Sequence, residues 1–298
     1  MKLVKSSWLE RPPVLAFVLL IPTLVLVFGV LLYPILYTLW LSFTDLRLSA
    51  PSSGSFIGLG NYIEALKNPE FLAAMRRTVY FALVTVPVET VLGLVIALVL
   101  NQKFVGRGFV RGLVILPWAL PYVVNGAMWK WIYNANYGAL NALLHQLGLI
   151  EKYQIWLGNP RTAFALVMLA NIWKETPVAA ILIQAALQNI SAELYEAARV
   201  DGAGVFRRFL HITLPLLRPV IAVTMVVKTV WALKEFDLIY VITQGGPANA
   251  TSVATYYTYL NTFKFLRFGY GSALAFILVA VSLVIALLYV KIVSVEQA

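Results

Sequence analysis

Cysteine is absent from all 298 residues, which excludes a disulfide framework and any thiolate metal site. Histidine occurs only as His145 and His211, too few and too far apart for a histidine metal centre. No G-x-x-x-x-G-K-[ST] phosphate loop is present, and Asp201-Gly202-Ala203-Gly204 lacks the third glycine of a dinucleotide loop. No internal repeat of roughly 20–50 residues occurs, which removes solenoid architectures. Charge is scarce as well, at 12% of residues, and residues 12–44 and 268–290 carry none. Each of those windows exceeds the roughly 20 apolar residues that span a bilayer. A soluble enzyme, a nucleic-acid-binding domain and a disordered chain are thereby excluded.

What is present is hydrophobic: 61% of residues, against roughly 45–50% in soluble domains. The net charge of +10 then reads as loops facing anionic lipid, not as a nucleic-acid surface. The apolar blocks predict an all-α integral membrane protein with six spans, near residues 14–40, 78–100, 112–132, 162–187, 219–243 and 268–290. The first block follows Lys2, Lys5 and Arg11 but runs far past the length of a signal-peptide core, so it is read as an uncleaved helix. Six spans place both termini on one side. The connector 101–112, with Lys103, Arg107 and Arg111 and no acid, marks that side as cytoplasmic. Trp8, Trp156, Tyr256 and Tyr257 read as interfacial anchors.

Ionisable groups at membrane depth are costly, so they face protein, water or solute. Glu89, Lys130, Lys174, Glu175, Lys228, Lys234, Glu235 and Asp237 fall within or near the spans. Glu89 reads as bonded across helices, and Lys130 and Asp237 as interfacial. Pro177, just after Lys174 and Glu175, is expected to open the fourth helix. Lys228, Trp231 and Glu235 lie at helical spacing on one face of the fifth. The plainer reading of these charges is ion bridges, such as Lys174 or Lys228 with Glu235.

The stretch 191–219 differs from everything around it, with acidic and basic residues among regularly spaced apolar ones. Ser191 is a helix start, Gly202 and Gly204 a break, and Val205 to Thr213 a second helix before Pro215, with His211 a packing residue. By pattern alone the pair lies on the bilayer surface or in a partner's groove. Its residues are more specific: Glu196-Ala197-Ala198, then Gly202, then Ile212-Thr213-Leu214-Pro215. This resembles the EAA loop of membrane subunits of binding-protein-dependent ABC importers. The resemblance covers nearly the whole chain through Phe56-Ile57-Gly58-Leu59-Gly60-Asn61-Tyr62, Leu116-Pro117-Trp118-Ala119-Leu120-Pro121 and Gly245-Gly246-Pro247-Ala248, and points to the maltose-type branch of carbohydrate-uptake permeases.

That resemblance implies the type I permease fold and a non-catalytic subunit of the prokaryotic plasma membrane with both termini cytoplasmic. It pairs with a second permease, receives solute from an extracytoplasmic binding protein and leaves ATP and Mg to two ATPase subunits. The chain itself holds no cofactor or metal. Glu196, Ala197, Ala198, Asp201, Gly202, Ile212, Leu214 and Pro215 would contact the ATPase. Trp118, Tyr122, Asn171, Trp173, Lys174, Glu175, Lys228, Trp231 and Glu235 combine polar groups with aromatic faces suited to a sugar, and the third to fifth spans of this branch line its path. The four charged positions among them depart from the family pattern. Because the glutamates offset the lysines, a neutral disaccharide or oligosaccharide such as trehalose or maltose is expected. The alternatives are a glycerol-phosphate importer of the same family and a secondary carrier, although the latter has no use for an EAA loop. An intramembrane hydrolase would need a nucleophile and base at depth, and no histidine lies in the spans.

Overall fold

The computed structural model describes residues 12–50 and 52–295. Lys2, Lys5, Trp8, Arg11 and Pro51 lie outside that range. In chain order the helices are α1 (Pro12–Val25), α2 (Tyr33–Ser42), α3 (Gly60–Lys67), α4 (Pro69–Asn101), α5 (Arg107–Ala119), α6 (Tyr122–Ile132), α7 (Ala139–Gln146), α8 (Pro160–Gln188), α9 (Ala192–Val200), α10 (Val205–Arg208), α11 (Leu214–Leu233), α12 (Ala254–Tyr259) and α13 (Phe268–Val295). A π-helical segment, Leu26–Leu32, joins α1 to α2 without a break. Among the described residues five helical stretches are long and apolar enough to cross a bilayer: Val14–Ser42, Pro69–Asn101, Pro160–Gln188, Val205–Leu233 and Phe268–Leu288. The pair α5 and α6 makes a sixth if it is one broken span.

Two of the expected spans differ in shape from what is observed. The stretch 112–132 is not a single rod, because α5 and α6 meet at 96°. Pro121 has no N–H to continue the ladder, and it drives Leu120 into an extended conformation (φ −72°, ψ 135°). The span expected at 219–243 begins earlier, since helix runs from Val205 to Leu233. A wide π turn over Phe209–Thr213 leads into Pro215, whose ring would crowd a regular α turn. At the other end the helix stops at Leu233, and a short π segment, Ile239–Thr243, follows a break at Lys234–Phe236. Pro177, by contrast, does not open α8, which continues through it.

The described residues divide into two compact units, those between 12 and 66 with 260–276, and 67–259 with 277–295. In the first, the Phe56–Tyr62 motif ties a turn together. The buried Asn61 amide donates to the carbonyls of Ser42 (2.9 Å) and Thr44 (2.7 Å), while the Tyr62 and Ser42 hydroxyls meet at 2.7 Å. Phe56 stacks on Trp40. Gly269 lies against the same turn, where a Cβ would sit 2.0 Å from the Thr44 carbonyl oxygen.

The second unit is built on α4 and α8. Each begins with an Asn-Pro pair: the Asn68 side chain accepts from Glu70 and Phe71 N–H, and that of Asn159 from Arg161 N–H. Gly93 sets their closest approach, since a Cβ there would lie 2.6 Å from Ala179 Cβ and 2.9 Å from the Ala180 nitrogen. Ala97, Ile183, Leu187 and Leu217 form the apolar cluster that adds α11 to this pair. The three helices thereby bring Glu89, Glu175 and Lys228 to one buried place.

Candidate solute cavity and coupling loop

Lys228 of α11 sits at the centre of that place, 1% exposed. Its ammonium donates to Glu175 Oε2 (2.6 Å) and to the Glu175 carbonyl (2.9 Å), and lies 3.0 Å from Glu89 Oε2. An ammonium has three protons, and these partners account for all of them. The outcome is a bridge across α4, α8 and α11 and not a free cation aimed at solute. Tyr122 at the start of α6 donates its phenol to Glu175 Oε1 at 2.5 Å, which brings the broken span onto the same carboxylate.

Glu235 does not pair with a lysine, contrary to the expected bridges. The helix has ended two residues before it, so it no longer shares a helical face with Lys228 and Trp231. Its Oε1 accepts from Leu238 N–H (2.9 Å) and caps the segment beyond the break. Oε2 accepts from the Asn171 amide at 3.2 Å, and the Glu235 carbonyl accepts from the Thr255 hydroxyl. The buried carboxylate therefore joins the segment beyond the break to α8 with no counter-ion in contact among the described residues, and the backbone carbonyl of Glu235 adds α12.

A cavity of about 400 Å³ opens beside these groups, lined by Trp118, Tyr122, Trp231, Lys234, Glu235, Phe236 and Asp237. A small recess joins Tyr122, Trp231 and Glu235 to Asn171, Glu89, Glu175 and Lys228. Both lie at helix breaks, where backbone that is not helical is tolerated at membrane depth because it lines a cavity. Four aromatic side chains and two carboxylates converge with one lysine, a set able to cover a sugar ring and accept from its hydroxyls.

The structure thus brings together Trp118, Tyr122, Asn171, Glu175, Lys228, Trp231 and Glu235 of the expected path. Trp173 departs from it: its ring meets Trp129 edge-on at 5.6 Å and lines an apolar groove with Leu92, Ile96, Leu113 and Pro177. It lies one residue from the polar face because a helix turns about 100° per residue. Lys174 makes no ion pair among the described residues; it bonds the backbone at the α5–α6 break. Phe236 was not anticipated, nor were Lys234 and Asp237 expected as lining. The available signal was Lys234-Glu235-Phe236-Asp237 itself, three charges in four residues within an apolar block, which a continuous lipid-facing helix would not carry.

The stretch 191–219 is built differently. Ser191 caps α9 through Glu193 N–H, and Glu193 and Arg199 occupy the first and last turns in the order that the helix dipole favours. Gly202 closes the helix at φ +73°, with Gly202 N–H on the Arg199 carbonyl (3.1 Å) and Ala203 N–H on that of Ala198 (2.8 Å). This is a Schellman closure, which requires the left-handed residue where glycine stands. Glu196, Ala197, Asp201 and Gly202 are exposed, Ala198, Ile212, Leu214 and Pro215 partly buried. Val200, Val205 and Phe206 are 88%, 76% and 73% exposed, an apolar edge that projects from the turn. The Tyr195 and Thr213 hydroxyls, 2.9 Å apart, tie α9 to the π turn before α11. His211 is exposed, not packed; a ring nitrogen meets the Arg207 carbonyl.

Helices of membrane-crossing length, a solute-sized cavity at two helix breaks and a projecting helical hairpin describe a multi-pass transport subunit. A family model described as the binding-protein-dependent transport system inner membrane component matches residues 89–294. The chain is 38% identical over 282 residues to the trehalose/maltose transport system permease protein MalF of Thermococcus litoralis, covering 95% of this chain and 94% of that one. It is 39% identical over 293 residues to the sulfoquinovosyl glycerol transport system permease protein SmoG of Agrobacterium fabrum, covering 98% and 94%. Its fold matches the crystal structure of a bacterial alginate ABC transporter in complex with alginate pentasaccharide-bound periplasmic protein, with a TM-score of 0.80, 25% identity and 92% of each chain covered. The chain belongs to the family of binding-protein-dependent transport system inner membrane components. It is a multi-pass permease subunit of an ABC importer and not the ATPase.

Proposed function

We propose that this chain forms, with a second related permease, the path of a neutral disaccharide or oligosaccharide delivered by an extracytoplasmic binding protein. Both termini are cytoplasmic in this reading, and residues 191–219 dock on an ATPase subunit that holds ATP and Mg. One observation carries the choice of solute. Every proton of Lys228 is engaged by Glu175 and Glu89, and Lys174 is engaged by backbone carbonyls, which leaves Lys234 as the lysine that an anion in the cavity would meet. The cavity wall itself bears Lys234 against Glu235 and Asp237, an excess of negative charge. A phosphate or sulfonate would need unpaired cationic donors there, which disfavours a glycerol-phosphate importer. One relative is named for trehalose/maltose and another for sulfoquinovosyl glycerol, so the reading rests on the charge of the wall.

The test is thermal protection of the cognate binding protein by a sugar panel, followed by uptake of the protecting solute in vesicles holding the assembled transporter. A neutral sugar that protects and is taken up supports the reading. Uptake confined to an anionic solute overturns it.

A further inference from the structure

Lys174 is 2% exposed, on α8, and among the described residues no carboxylate is bonded to it. Its ammonium lies 2.5 Å from the Leu120 carbonyl and 3.1 Å from that of Trp118, and 4.4 Å from the centre of the Tyr122 ring. Those carbonyls belong to the end of α5. The 96° turn carries them away from the N–H groups four residues on, and the last turn closes only weakly, Leu120 N–H to the Pro117 carbonyl at 3.4 Å. Helix ends leave carbonyls unsatisfied, and within a membrane no water stands ready to satisfy them. A lysine near a helix C-terminus answers both the missing hydrogen bonds and the dipole. The residues on either side of this junction, Trp118 and Tyr122, are the aromatic wall of the cavity.

We infer that Lys174 is a positioning residue for transport: it caps α5 and covers Tyr122, and thereby fixes the break that sets Trp118 and Tyr122 on the cavity wall. It touches neither solute nor counter-ion. The part of this inference that concerns solute rests on the function proposed above; the part that concerns the break does not.

The absence of cysteine permits a direct test. Spin labels on Leu113→Cys in α5 and Trp131→Cys in α6, both exposed in this chain, report the break in the assembled transporter, prepared with cysteine-free partner subunits. The distance distribution is expected to be narrow in the parent and in Lys174→Arg, which can still donate to two carbonyls, and to broaden and shift in Lys174→Met. If Lys174→Met does not assemble, Lys174→Gln, too short to reach both carbonyls, is expected to broaden it to a smaller extent. An unchanged distribution in the non-cationic variant that assembles overturns the inference.

Uptake is measured in parallel. A rise of about tenfold in apparent KM in Lys174→Met, with Lys174→Arg near the parent and basal ATP hydrolysis retained, supports the link to the cavity. A shifted distance with unaltered uptake leaves the cap standing and removes this cavity from the solute path.

Discussion

The buried centre around Lys228 and the exposed hairpin around Gly202 both depend on a few charged or small residues, yet they are stabilised by opposite means. In the hairpin, Glu196 and Arg199 lie 3.6 Å apart with both side chains more than half exposed, and such a pair adds little to stability. Its shape comes from backbone chemistry, a serine cap and a left-handed glycine, while its apolar edge stays uncovered. In the centre all three charges are buried: Lys228 meets carboxylates from two helices, Glu175 meets Lys228 and Tyr122, and Glu89 meets Lys228. In the function proposed above, the hairpin is a surface for another protein. The centre is a clamp that requires its own chain.

Removing the clamp is expected to have the largest effect. Lys228→Met leaves Glu89 and Glu175 buried without their shared cation, and breaking such a pair costs about 3–5 kcal/mol. The assembled complex is expected to melt at markedly lower temperature or to fail to assemble. A melting temperature equal to the parent's would show that the three helices are held by apolar packing alone.

The hairpin should respond in the opposite sense, losing coupling while retaining stability. Glu196→Lys and Gly202→Ala are expected to lower binding-protein-stimulated ATP hydrolysis several-fold with the melting temperature nearly unchanged. At Gly202 an added Cβ meets nothing within 4 Å, so the penalty is conformational alone, about 1–2 kcal/mol confined to the turn. Gly202→Asn, which tolerates left-handed backbone, should retain more activity than Gly202→Ala. Equal losses in the two would assign the effect to bulk at the docking face instead of to the turn.

The same contrast explains what the sequence made legible. The serine start, the glycine stop and the spacing of the hairpin are local signals, and the structure carries each of them. The participants of the centre were also visible, because buried charges in apolar blocks stand out. Their partners were not. Lys228 pairs with Glu89 and Glu175 instead of Glu235 because helix packing, set by Gly93 against Ala179, decides which charges meet. Lys174 bonds carbonyls, groups that every residue carries and no sequence pattern displays. The sharp turn at Pro121 and the end of α11 at Leu233 are tertiary outcomes, which the apolar content of 112–132 and 219–243 does not display.

Smaller effects refine the account within the centre itself. Glu235→Gln retains an oxygen for Leu238 N–H, so melting is expected to change by less than about 1 kcal/mol equivalent, within the usual worth of one hydrogen bond. Discrimination among sugars should nevertheless shift, because a charge leaves the cavity wall. A large loss of stability with unaltered discrimination would move Glu235 from the cavity to the scaffold. Asn125 is fully buried on α6, and among the described residues neither amide atom has a partner. Since an unsatisfied buried amide is unfavourable, Asn125→Leu is expected to leave the melting temperature unchanged or slightly raised. A clear fall would indicate that the amide is bonded in the assembled transporter.

In the function proposed above, the cavity between the two helix breaks selects a neutral sugar. Its most direct test is competition for uptake by matched neutral and anionic sugars in proteoliposomes containing the complete transporter and its binding protein, in the parent and in Glu235→Gln. The account predicts that neutral sugars compete and anionic ones do not, and that their relative strengths change in the variant at similar assembly. Identical competition profiles in parent and variant, or stronger competition by the anionic sugar in the parent, would contradict it.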